Sequence, residues 1–191
     1  MNYLTLQEGK KLIKNGDIVL ICCNNKTSFL GKLVSTIQNS IIYHAGLAFW
    51  ITLPCGIKEL FIAEATPSGT CLTNIAQYHL QEIRVMAKPD YVNNSDYTRE
   101  LFASLGSVRY SFKKSLWSAA KQYLKLPNLN EKGMFCSEFV AKMWCKGGFP
   151  LKDNEIDPKK LEQFLLQREV QYRCWIKAHD REHIRKSKRV V

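Results

Sequence analysis

Apolar positions along the chain switch between the spacing of a helix and the unbroken or alternating runs of a strand, and the switches divide it into elements. Thr5 and Glu8 have the form of a capping box, and Leu6, Leu12 and Ile13 give an apolar face, so a short helix is predicted from Thr5. Asn15-Gly16-Asp17 breaks it, and the β-branched run from Ile18, IVLICC, predicts a buried strand. Phe29, Leu33 and Ile37 recur every fourth position and predict a second helix over Ser28–Ile37. IIYHAGLAFWI and KELFIAEA read as two strands joined around Pro54-Cys55-Gly56, and EIRVMA as another. Helices are predicted over about Ser95–Leu105 and Ser115–Leu124, from Cys136, and from Asp157-Pro158, where an aspartate cap precedes a proline at the first helical position. The order of helix, strands and helices predicts an α+β domain, with an antiparallel sheet packed against helices.

With 191 residues, 46% of them hydrophobic, the chain can bury a core of its own, and its length fits one domain. We read that domain over residues 1–178, followed by a basic tail over 179–191. The opening MNYLTLQEGKKLIKNG lacks the apolar stretch of a secretory signal and no later run is long enough to cross a bilayer, which predicts a cytoplasmic protein. Seven cysteines at irregular spacing, without a CxxC, predict reduced thiols rather than a disulfide framework. No cysteine pair stands at zinc-ligand spacing with the four histidines, so neither metal nor other cofactor is expected. The net charge of +11 predicts attraction to an anionic partner without naming it. Arg181, Arg185, Lys186, Lys188 and Arg189 make the tail a candidate for contact with an anionic surface, the alternative being a solvated end, and no nucleic-acid motif accompanies the charge.

Candidate chemistry lies in the predicted hairpin. Side chains alternate along a strand, which puts Ile42, His44, Gly46, Ala48 and Trp50 on one face, and Leu60, Ile62 and Glu64 together on the returning strand. A hairpin turning symmetrically about Pro54 sets Gly46 against Ile62 and His44 against Glu64; a slip of two residues leaves the latter pair diagonal and still within reach. Two such groups in an apolar setting are costly unless they satisfy one another. Glu64 is therefore either a structural partner of His44 or the group that fixes its tautomer and leaves its other nitrogen to act as a base. Cys136 supplies a nucleophile to match. It heads a predicted helix whose apolar stripe is Phe139, Val140, Met143 and Trp144, where the helix dipole and a neighbouring imidazole favour a thiolate. Ser137 and Glu138 can cap that helix; His79, His179 and His183 read as surface or loop residues, and Cys145 and Cys174 have no base nearby.

Together NGDIVLI, YHAGLAF, FIAEA and FCSEFV resemble, in this order, the motifs of the circularly permuted NlpC-like branch of papain-like cysteine hydrolases, which includes YiiX-like proteins, poxvirus relatives and the lecithin retinol acyltransferase group. The resemblance runs from Gly16 to about Trp144. It implies a permuted papain-like fold with the nucleophile helix C-terminal to the sheet, and a triad of nucleophile Cys136, base His44 and orienting Glu64. Tyr110, in VRYSF, resembles the family tyrosine whose hydroxyl lines the site and can stabilise an oxyanion. The activity implied is hydrolysis of an amide in a peptide, an isopeptide or a peptidoglycan fragment through a thioacyl enzyme. Two alternatives stand beside it: an acyltransferase or hydrolase taking its acyl group from a lipid through the same triad, and a non-catalytic basic binding protein on a degenerate papain-like fold.

Overall fold

A computed structural model of the chain describes residues 2–106, 134–151 and 156–178. Tyr110, the helix predicted over Ser115–Leu124, His179, His183 and the basic tail lie outside the described residues. The described strands are β1 (Tyr3–Leu4), β2 (Ile18–Cys22), β3 (Ile42–Thr52), β4 (Lys58–Thr66), β5 (Gly69–Asn74), β6 (Ile83–Met86) and β7 (Tyr172–Ile176). They form one sheet in the order β1-β7-β6-β2-β3-β4-β5. Five described helices accompany it: α1 (Leu6–Leu12), α2 (Phe29–Ile37), α3 (Asn94–Ser104), α4 (Cys136–Lys146) and α5 (Pro158–Gln167), with a 3₁₀ turn at Ile75–Tyr78.

The α+β expectation holds, with two corrections to the sheet. It is mixed, because β1 pairs with β7 in parallel while every other neighbouring pair is antiparallel. The helix opening at Cys136 does not follow a completed sheet either, since β7 comes after α4 and α5 and inserts between β1 and β6.

Local sequence explains the helix starts. The Thr5–Glu8 capping box forms on α1, Ser28 caps α2 through the Gly31 amide, and Asp157 caps α5 through the Lys160 amide with Pro158 at the first position. Both faces of the sheet are covered, which is why β2 is buried at all five positions rather than alternating. One face carries Ile18, Leu20, Ala45, Leu47 and Phe49 against Phe139, Val140, Met143 and Trp144 of α4 and Leu161 and Leu165 of α5. The other carries Val19, Ile21, Ala48, Leu60, Ile62, Val85 and Ile176 with Ile13 and Ile75. The four apolar side chains of the α4 stripe are fully buried, each worth about 1.5–3 kcal/mol of transfer free energy. The Trp144 indole N–H also donates to the Gly16 carbonyl at 2.9 Å, tying α4 to the entry of β2.

The hairpin register differs from the symmetric one. Leu47 lies opposite Ala63, Ala48 opposite Ile62 and Thr52 opposite Lys58, so the chain turns about Cys55 rather than Pro54. The Gly56 amide donates to Leu53 and the Leu53 amide to Ile57, both at 2.8 Å, and Gly56 takes φ of 80°, a left-handed conformation that glycine enters without a Cβ penalty. Turn chemistry, invisible to a symmetry argument, therefore shifts every pairing by two, and Gly46 is not opposite Ile62 nor His44 opposite Glu64.

Candidate active site

β3 reaches the site through a bulge. Against β2, His44 lies opposite Ile21 but Ile42 opposite Cys22, which leaves Tyr43 as an extra residue. The extra residue resets the alternation: Ile42 joins the core beneath α4 with Ala45 and Leu47, while Tyr43 packs with Ala48 in the opposite core. Ile42 therefore does not share the face of Ala48 and Trp50, a correction to the simple alternating pattern.

His44 and Glu64 meet across the shifted register. His44 Nε2 lies 2.6 Å from Glu64 Oε2, with the carboxylate 1% and the imidazole 11% exposed. This is the diagonal arrangement, and Gly46 makes room for it: a Cβ there would stand 2.3 Å from Ile62 Cγ2, 3.0 Å from the Ala63 carbonyl and 3.4 Å from Glu64 Cβ. The carboxylate has two further donors. The Tyr78 hydroxyl donates to Oε2 at 2.7 Å and the Thr73 hydroxyl to Oε1. The sequence reading missed both, because β5 (GTCLTN) is short and mostly polar and Tyr78 ends a 3₁₀ turn; the only local signal is Asn74, which caps that turn through the Ala76 amide.

Cys136 is the first residue of α4 and is 4% exposed, with Phe135 at the N-cap. The intrahelical ladder starts with the Phe139 amide on the Phe135 carbonyl at 3.0 Å, so the Cys136 amide precedes it. Glu138 accepts from the Phe135 amide at 3.3 Å and the Ser137 hydroxyl donates to the Ile156 carbonyl, which gives these neighbours structural tasks. The Cys136 sulfur stands close enough to His44 to act on its imidazole. Since Nε2 faces Glu64, Nδ1 is the ring nitrogen left for the sulfur. Three of the predicted site residues are thus brought together.

Burial alone would depress the basicity of His44, but the Cys136 sulfur and the Glu64 carboxylate outweigh it, and the imidazole is held well above its ordinary value. Burial would likewise raise Glu64, yet His44, Thr73 and Tyr78 together leave it below the usual carboxylate value. Glu64 thus favours the protonated form that His44 adopts on accepting a proton, and His44 in turn favours the ionised form of Glu64. Desolvation pushes the buried thiols of Cys22 and Cys174 up to about 12 and about 11, which keeps those two protonated. His79 is exposed, with Nδ1 2.8 Å from the Ala76 carbonyl, and lies outside the cluster. Among the described residues, no group of three or more His, Cys, Asp or Glu is placed to hold a metal ion, and no helix is long and apolar enough to cross a membrane.

No family model and no curated protein matches the chain. Among solved structures, the metalloprotein YiiX from Escherichia coli O157:H7 is similar at 15% identity and a TM-score of 0.49, over 87% of this chain and 89% of its own.

Proposed function

We propose that the protein is a cysteine hydrolase of permuted papain-like type, in which Cys136 is the nucleophile, His44 its base and Glu64 the orienting carboxylate. The observation that carries this reading is the shared imidazole: Glu64 holds His44 Nε2 at 2.6 Å, and the Cys136 sulfur at the start of α4 acts on the same ring. The chain order of His44, Glu64 and Cys136 agrees with it. His44 Nδ1 takes the thiol proton, and Sγ adds to an amide carbonyl carbon. The tetrahedral oxyanion develops beside the amides of the first turn of α4. Its collapse breaks the C–N bond, and the departing amine takes the proton from the imidazolium. Water, deprotonated by His44, then attacks the thioester; the C–S bond breaks, and Cys136 and a free carboxylate are released.

An acyl donor carried by a lipid is the second reading. Phe29 at the start of α2 and Ile41 at the entry to β3 are 78% and 50% exposed, apolar surface on elements next to Tyr43 and His44.

Limiting iodoacetamide near neutral pH, followed by peptide mapping, tests the nucleophile. Cys136 is expected to label first and to be protected in His44→Ala. Faster labelling of another cysteine would overturn the assignment. Incubation with peptide, muropeptide and phospholipid pools, followed by mass spectrometry, then separates amide from lipid substrates. A thioacyl adduct on Cys136 is the expected intermediate, and turnover undiminished in Cys136→Ala would reject the mechanism.

A further inference from the structure

The carboxylate that holds His44 is itself held by two hydroxyls from the β5 region, and both reach it through elements with other reasons to be rigid. Thr73 lies opposite Ile62 in the β4–β5 ladder, two residues from Glu64, so its hydroxyl meets Oε1 on the diagonal. Tyr78 is the last residue of a 3₁₀ turn pinned by fully buried Ile75 and by the Asn74 cap. Its hydroxyl shares Glu64 Oε2 with His44 Nε2, at 2.7 and 2.6 Å, while the two rings lie stacked with centroids 6.2 Å apart at 25°.

Two donors on one oxygen compete for its charge. A hydrogen bond from a neutral phenol spreads the negative charge that would otherwise act on the imidazolium alone. Burial and the Glu64 charge push the Tyr78 phenol far above its ordinary value, so it remains a donor over any working pH. The other titratable groups around the pair are Cys136 from α4, Tyr43 from β3 and Cys71, which faces Glu64 across the β4–β5 ladder.

We propose that Tyr78, assisted by Thr73, is a positioning residue that acts through Glu64. It fixes the carboxylate toward His44 and moderates the charge on Oε2, so that the imidazolium can still give up its proton to a leaving group. The proposal rests on the Cys136–His44–Glu64 reading. Its logic is that a carboxylate with too little competition would lock His44 in the charged form and slow proton return, whereas a well-shared one orients the ring and leaves it exchangeable.

Tyr78→Phe in the full chain removes the hydroxyl and keeps the ring. The midpoint of His44 titration, followed by NMR of the ring carbons, is expected to rise by about half a pH unit or more. The alkaline limb of Cys136 alkylation should move with it. Tyr78→Phe added to Glu64→Gln should move neither, because the path through the carboxylate is already gone. Thr73→Val, also isosteric, is expected to shift the midpoint in the same direction and carries the test if Tyr78→Phe does not fold. An unchanged midpoint in the folded variants, while Glu64→Gln moves it, would reduce Tyr78 to packing and overturn the proposal. If Glu64→Gln changes neither titration nor alkylation, it is the underlying triad reading that fails.

Discussion

Gly46 sets how closely the strand bearing His44 approaches the one bearing Glu64. A methyl group there would press on Ile62 and on the Ala63 carbonyl, and backbone cannot yield as a flexible side chain can. Gly46→Ala is therefore expected to cost about 1–3 kcal/mol in denaturant unfolding. If His44 is the base proposed above, the substitution should also slow Cys136 alkylation by on the order of ten-fold or more, since a small misplacement of a base is expensive. Alkylation at the original rate would show that the strands separate without disturbing the pair. The same pair makes stability depend on pH in a defined way. His44 is raised when folded, so its contribution is full below its ordinary 6.5 and is lost as pH climbs through the raised value. Glu64 is lowered, so its contribution is full above its ordinary 4.5 and is lost as pH falls through the folded value. Thermal melting should accordingly show the native protein's advantage over Glu64→Gln at its greatest between about pH 4.5 and 6.5, narrowing on both sides. A gap independent of pH would mean the two groups are not held as an ion pair.

Asp17 joins three strands that are not neighbours in sequence. Fully buried, it accepts from the Lys14 amide at 2.7 Å, the Lys88 amide at 2.9 Å, and Arg173 Nε and Nη2 at 2.5 and 3.1 Å, linking the entry of β2 to the exit of β6 and to β7. Asp17→Asn keeps the volume but removes the charge that Arg173 faces, and is expected to cost about 2–4 kcal/mol by chemical denaturation. A loss below about 0.5 kcal/mol would show that Arg173, which is partly exposed, finds water instead. This junction also explains what could and could not be read from the chain. Caps, turns and the apolar runs of β2, β3, β4 and β6 are local, and each announced itself. β1 has only two residues and β7 (YRCWI) lies among the basic residues of the chain end, so their pairing depends on partners distant in sequence, whereas β5 pairs with its neighbour β4 but is too polar to stand out as a strand. In the site, His44, Glu64 and Cys136 could be picked out because a charged or reactive side chain contradicts its apolar run. Thr73 and Tyr78 contradict nothing around them. The bulge at Tyr43 likewise leaves no mark on the alternation, since Tyr43 and Ile42 are apolar enough for either face.

Charge is the property that the fold does not absorb. Residues 179–191 hold five basic and two acidic side chains, a net +3 of the total +11, so most of the excess belongs to residues 1–178. The tail and the body can therefore be separated by experiment. If the tail guides the protein to an anionic surface, ending the chain at Ala178 should weaken binding to acidic vesicles and to nucleic acid. The slope of log affinity against log salt on duplex DNA should fall by up to roughly 0.9 for each basic residue that contacted a phosphate, because fewer counterions are released. Cys136 alkylation should stay within about two-fold of the full chain, since α4, β3 and β4 carry the pair and its sulfur. An unchanged salt slope would place the contact on the body, where an enzyme working at an anionic surface would hold it close to the site. Parallel loss of binding and of alkylation would show that the tail supports the domain that carries Cys136, and the division between a catalytic body and a docking tail would have to be abandoned.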